Sequence, residues 1–180
     1  MRRILGAALL VLLMPPWAIP VRGSAAWRIG AAPAGGASGC TIVGTDGNDV
    51  LRGTPDADVI CGRNGDDAMV GLGGPDRIIG GRGNDRIDGG RGADDVSGGR
   101  GADLVIGGGA NDHVEGGPNH DALYGKGGSD IVQGGRGQDF CVNTDDGVDG
   151  NDVANGGPGQ DVYAADPGDV LINVEHARAC

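Results

Sequence analysis

The chain is poor in the residues that build an ordinary protein core. Of its 180 residues only five are aromatic, two Trp, two Tyr and one Phe, and past Met14 it has no long apolar run. A conventional packed domain is disfavoured on that ground, and no segment is long enough and apolar enough to span a bilayer. Glutamate is almost missing as well, since 23 of the 25 acidic residues are aspartate. A merely solvated acidic surface has no reason to avoid the longer carboxylate, so something in this chain selects the short one. Basic residues number 14 against those 25, which disfavours nucleic acid and other anionic partners. The three histidines, His113, His120 and His176, have no close His or Cys companion at zinc-ligand spacing and read as surface residues. Neither HExxH nor GxSxG occurs, so no hydrolase motif is present. What the chain does have is glycine, 40 of them.

The N-terminus carries the three parts of an export signal: basic Arg2 and Arg3, an apolar stretch from Ile4 to Met14, and small residues Ser24, Ala25 and Ala26 for cleavage. Residues 1–26 are expected to be a signal peptide, with Arg2-Arg3 read as a plain basic start rather than a twin-arginine signal, and the mature protein to be secreted or envelope-associated. Cleavage would take Arg2, Arg3 and Arg22 from the 14 basic residues, leaving 11 against 25 acidic ones and a formal charge of −14. Cys40, Cys61, Cys141 and Cys180 form an even set, which in an exported chain reads as two disulfides with three connectivities open. Pairing within each end, Cys40 with Cys61 and Cys141 with Cys180, is the expectation. Lipid attachment at Cys40 is disfavoured, because it lies far from the apolar stretch and Ala37 stands where a large aliphatic is wanted.

A search for a fixed period succeeds at once. Aspartate recurs every ninth residue at Asp49, Asp58, Asp67, Asp76, Asp85, Asp94, Asp103, Asp112, Asp121, Asp130 and Asp139, then at Asp152 and Asp161 after a four-residue insertion. Written from the first glycine, thirteen nine-residue units fill residues 44–142 and 147–164, with Gly at position one and Asp at position six throughout. Position eight is mostly Leu, Ile, Val or Met. Glycines at positions one, two and four permit positive φ, which predicts a tight turn over the first six positions with carbonyls aimed inward. Positions seven to nine, such as Leu104-Val105-Ile106, predict a short strand with the middle residue inward. Two units would complete a coil, so unit n stacks on unit n+2 and two parallel sheets form.

The units GGRGNDRID, GGRGADDVS and GGRGADLVI resemble the GGxGxDxUx signature of the RTX, or haemolysin-type, calcium-binding nonapeptide repeats. The resemblance covers residues 44–164. It implies an all-β, right-handed parallel β-roll, a solenoid of about thirteen repeats, with calcium ions between stacked turns. Each ion would be held by the position-six carboxylates of units n and n+2 and by turn carbonyls. Carried over, the metal ligands are the thirteen aspartates from Asp49 to Asp161, and the unbroken run offers nine inter-turn sites, from Asp49 with Asp67 to Asp121 with Asp139.

The residue chemistry agrees with such an ion. Calcium takes about six to eight oxygen ligands, and these repeats offer oxygen alone. Without it, carboxylates stacked about 5 Å apart would repel by about 3 kcal/mol per contact at an effective dielectric of 20. The apolar positions are too few and small to offset both this and the ordering of a glycine-rich chain. A chain that folds on calcium is expected, with weak individual sites suited to a calcium-rich exterior.

Several positions depart from the pattern. Position four is Asp56, Ala110 and Asn119 in three units, and position two is not glycine in the first four, which is expected to weaken those turns. Asp145, Asp146 and Asp149 suggest a separate acidic loop, Cys141 takes an inward position-eight slot, and Gly168 to Glu175 reads as a capping strand. Arg82, Arg91, Arg100 and Arg136 recur at position three and read as solvated charges softening the negative field rather than an anion-binding stripe. The expected organisation is a signal peptide at 1–26, a linker or cap at 27–43, the roll at 44–164, and a capping strand with tail at 165–180. Residues 27–43 are too few for the toxin, protease or lipase domain that often precedes such repeats. The expected function is a non-enzymatic, calcium-binding extracellular module with an unidentified surface partner. The alternatives are a secreted hydrolase using the loop at 145–152 and a flexible glycine-rich matrix protein without ion sites.

Overall fold

The computed structural model describes residues 39–143, 152–165, 169–173 and 176–177. The signal peptide expected over 1–26, the linker as far as residue 38, the acidic loop of Asp145, Asp146 and Asp149, and Cys180 with its expected link to Cys141 lie outside the described residues.

The described chain is a parallel β-solenoid of about six coils. Its strands are β1 (Ile42–Val43), β2 (Val50–Arg52), β3 (Val59–Asn64), β4 (Ala68–Gly73), β5 (Arg77–Arg82), β6 (Arg86–Arg91), β7 (Asp95–Arg100), β8 (Leu104–Gly109), β9 (His113–Pro118), β10 (Ala122–Gly127), β11 (Ile131–Arg136), β12 (Phe140–Asn143), β13 (Val153–Asn155), β14 (Val162–Ala164), β15 (Val170–Ile172) and β16 (His176–Ala177). Odd strands form one sheet and even strands the other, each in sequence order. Along both sheets the register advances by eighteen residues, as in Arg77↔Asp95 and Arg86↔Leu104, so two nonapeptides make one coil as expected.

Between the sheets lies a single file of position-eight side chains. Leu51, Ile60, Met69, Ile78, Ile87, Val96, Val105, Val114, Leu123, Val132, Ala154 and Tyr163 are all buried there. Small and medium residues suffice because only one side chain per nonapeptide has to fill the gap, which is why the chain manages with so few aromatics.

The turn is shorter than the sequence suggests. Strands β3 to β11 run from position seven through position three of the next unit, and only positions four to six turn. Glycine explains the difference. The ladder omits position one, as where Cys61↔Ile79 is followed by Arg63↔Gly81, and residues at positions two and four take positive φ, for example Gly81 at 119° and Gly83 at 124°. Positive φ at position two lets the strand kink there and continue, a conformation that glycine takes without strain and that Arg63, Leu72 and Lys126 also adopt.

The four-residue insertion is taken up at β12, whose pairing with β10 slips by one residue between Ala122↔Phe140 and Tyr124↔Asn143. Beyond it Ile131↔Val153 restores the stack. Within the stretch read as a capping strand, Val170–Ile172 forms β15, with Leu171 opposite Ala154. At the other end Cys40 is bonded to Cys61, the first of the two expected pairings, which also occupies the sulfur a lipid would need.

Candidate metal centre

The nonapeptide period places every position-six aspartate at the same corner of its coil. All thirteen, from Asp49 to Asp161, are buried, none more than 8% exposed. That is a costly place for a carboxylate without partners. One oxygen of each is used structurally. The Asp49 N–H donates to Asp67 Oδ1 at 2.8 Å, Asp67 to Asp85 Oδ1 at 2.8 Å, and Asp103 to Asp121 Oδ1 at 2.9 Å. The same link crosses the insertion, from Asp130 N–H to Asp152 Oδ1 at 2.7 Å. In return the position-six carbonyl accepts from position seven of the next coil, as Arg86 N–H does with Asp67 O at 2.8 Å. An aspartate such as Asp67 therefore ties its coil to the preceding one through its side chain and to the following one through its backbone.

The second oxygen differs. In Asp67, Asp76, Asp85, Asp94, Asp103, Asp112, Asp121 and Asp139, Oδ2 is buried without a hydrogen-bond partner. Burial pushes these carboxyls upward, Asp76, Asp103 and Asp139 to about 6, Asp85, Asp112 and Asp121 to about 7, and Asp67 and Asp94 in the same direction. The N–H from the preceding coil pulls the other way, and at most of them neighbouring aspartates add to the rise.

Oδ2 shares the space over a position-one glycine with a carbonyl oxygen. A Cβ placed on Gly98 would stand 2.5 Å from Asp103 Oδ2 and 2.9 Å from the Gly116 carbonyl oxygen, and one on Gly116 would stand 2.6 Å from Asp121 Oδ2 and 2.7 Å from Gly134 O. The orphan carboxylate oxygen and a carbonyl of the next coil thus converge on the ground that position-one glycine leaves clear. Carbonyls at positions two and four also lie along the stack, those of Arg63 and Gly65 against the places where a Cβ on Gly81 and Gly83 would stand. A hard cation that takes carboxylate and carbonyl oxygen fits this donor set, and nitrogen- or sulfur-seeking metals do not. Among the described residues no three His, Cys, Asp or Glu side chains gather around one point, so a cation held here would need carbonyl ligands as well.

Two of the expected ligands are placed differently. Asp49 Oδ2 accepts from the Thr45 N–H and from Thr45 Oγ1, and Asp58 Oδ2 accepts from the Thr54 N–H at 2.7 Å and Thr54 Oγ1 at 2.8 Å. Asp130, Asp152 and Asp161 share the buried register of the main run, and the Asp152 N–H reaches Asp169 Oδ1 at 3.3 Å, extending the ladder into the tail. Ala110 and Asn119, expected to weaken their turns, hold φ of 85° and 102°, so both keep the left-handed geometry of glycine at position four.

A second ladder at position five went unread in the sequence. The Asp66 N–H donates to Asn48 Oδ1, Asn84 N–H to Asp66 Oδ1, Ala102 N–H to Asn84 Oδ1 and Gln138 N–H to His120 Nδ1. It runs opposite to the aspartate ladder, with the earlier unit as acceptor. The short polar residues at position five were the available signal, obscured by the Ala and Pro interspersed among them. Arg82, Arg91, Arg100 and Arg136 are exposed, as expected, and so is His120. His113 is partly exposed and lies 3.1 Å from Asp95. Among the described residues no helix is long and apolar enough to cross a membrane.

Comparison with curated proteins found no match. The family model of the RTX calcium-binding nonapeptide repeat matches the chain four times, over residues 41–69, 70–105, 106–141 and 146–172. Those matches span most of the solenoid, and the feature they describe, an aspartate at every ninth residue, is the one that builds the buried ladder. The chain belongs to the RTX family of calcium-binding repeat proteins.

Proposed function

We propose that this protein is a secreted structural module that folds as it binds several calcium ions outside the cell, after residues 1–26 have been removed as a signal peptide. The eight orphaned Oδ2 atoms carry the reading. A buried carboxylate oxygen with no donor is unstable as it stands, and eight of them in register need positive charge or protons. Asp67, Asp76, Asp85, Asp94, Asp103, Asp112, Asp121 and Asp139 would supply carboxylate ligands, with carbonyls of the position-one, -two and -four residues completing the shell. Asp130, Asp152 and Asp161 extend the same column. Calcium held there would supply the positive charge that the stacked carboxylates lack. The chain's own residues do the rest: position-one glycine leaves room, Oδ1 sets the spacing, and the position-eight file holds the sheets together. Rigid, exposed sheet faces then suit the protein to an extracellular or cell-surface partner.

Far-ultraviolet circular dichroism of the oxidised mature chain, residues 27–180, titrated with calcium and then magnesium, tests the proposal. A coil-to-β transition with calcium and not with magnesium is expected. A spectrum that stays coil at millimolar calcium would overturn it.

A further inference from the structure

The first described coil of the roll is built differently from the coils of the main run that follow. Strands β1 and β2 end before position one, whereas β3 to β11 continue through position three. The cause lies at position two, where Thr45 and Thr54 stand. Arg63, Leu72, Lys126 and the glycines at this position take positive φ, and neither threonine does. A β-branched residue resists that conformation, so the backbone turns early and brings the threonine onto its own aspartate.

The result is a closed set of hydrogen bonds. Thr54 Oγ1 donates to Asp58 Oδ2 and accepts from the Asp56 N–H at 3.2 Å, and Thr45 Oγ1 does the same between Asp49 Oδ2 and the Gly47 N–H at 3.2 Å. Thr41 completes the second unit, donating to Asp58 Oδ1 at 3.0 Å and accepting from the Val59 N–H at 2.9 Å. The Cys40–Cys61 disulfide closes the chain around this coil. From Asp67 onward no threonine stands at position two, and the orphaned Oδ2 atoms begin.

We propose that residues 40–61 form an ion-independent cap. Thr45 and Thr54 give Asp49 and Asp58 the donors that a cation must replace further along, so the metal column begins at Asp67, and the disulfide-closed coil is the template on which later coils stack as calcium arrives. A solenoid needs such a start, because its first coil has no neighbour to lie on while every later coil adds to an existing one. The inference rests on the calcium reading above and adds a polarity to it, with order spreading from the N-terminal end.

Hydrogen exchange of the oxidised full-length mature chain, followed by mass spectrometry in EDTA and at increasing calcium, tests this. In EDTA, protection is expected over residues 41–61 alone. Rising calcium should extend it from unit three toward the C-terminus. The double variant Thr45→Val, Thr54→Val and the disulfide variant Cys40→Ser should each lose the EDTA protection while keeping a calcium response beyond Asp67, at higher calcium. If residues 41–61 exchange freely in EDTA while the rest of the chain gains protection with calcium, the cap is wrong and the calcium reading stands. If no segment responds to calcium, the calcium reading falls and the inference falls with it.

Discussion

Replacing Asp103 with asparagine separates a metal ligand from a merely structural carboxylate. Asp103 Oδ1 accepts the Asp85 N–H at 2.8 Å, while Oδ2 is buried without a partner beside the slot of Gly98. Asp103→Asn keeps the Oδ1 acceptor and the side-chain shape, and replaces an ionised oxygen with a neutral amide. In EDTA the variant is freed of one buried charge, and relief on the order of 1–3 kcal/mol is expected, the usual scale for an uncompensated buried polar group. In calcium the sign reverses. Loss of one ion at a free concentration a hundred times its Kd removes about 2.7 kcal/mol of linkage stabilisation. Asp103→Ala, which also orphans the Asp85 N–H, should destabilise under both conditions. The assay is the circular-dichroism β signal against denaturant in calcium, and against a stabilising osmolyte in EDTA, where the metal-free chain needs help to fold. An Asp103→Asn chain weakened equally with and without calcium would refute the reasoning, since it would show Oδ2 to be a structural acceptor and not a cation ligand.

Acid should imitate calcium. Folding raises the carboxyls of Asp76, Asp103 and Asp139 to about 6 and those of Asp85, Asp112 and Asp121 to about 7, from an ordinary 3.8, so the folded chain holds more protons across that interval. Metal-free stability therefore grows as pH falls from about 7 toward 4 and is lost on the way back up, and a circular-dichroism series in EDTA that shows no gain in β signal on acidification would contradict it. In the same interval the calcium midpoint should rise as pH falls, because protons and calcium compete for the same oxygens. Gly98→Ala puts a methyl 2.5 Å from Asp103 Oδ2 and 2.9 Å from Gly116 O without demanding positive φ, so calorimetry should show fewer calcium ions bound, with normal stoichiometry counting against the site. Ala110→Gly should stabilise the calcium-bound roll by up to about 1 kcal/mol in denaturant melts, since Ala110 sits at φ 85° where glycine is unstrained.

Much of the molecule was legible before any coordinates. The nine-residue period alone locates the residues that become the core file, from Leu51 to Tyr163, and the aspartates that become the buried ladder. It does so because a solenoid repeats one local environment, and a residue's position in the unit sets its neighbours. An even cysteine count in a chain that looks exported pointed to disulfides and left three connectivities open, and the expected pairing of Cys40 with Cys61 is the one observed. The turn was misjudged because glycine is permissive: Gly81 and Gly83 are equally compatible with a six-residue loop and with the kinked strand that runs through position three.

Which residues stack follows from the order of amino acids alone, since periodicity is a property of the chain and survives any detail of the turn. Which carboxylate oxygen meets a donor emerges only from the folded stack. Oδ1 meets an N–H eighteen residues earlier in the main run, whereas Oδ2 meets a threonine four residues before it at Asp49 and Asp58 and no hydrogen-bond donor at Asp67, Asp76, Asp85, Asp94, Asp103, Asp112, Asp121 and Asp139. That choice depends on the φ of position two and on the coil spacing, neither of which a one-dimensional repeat records. It separates Asp49 and Asp58 from Asp67 and its successors, although all were written with the same letter in the same place.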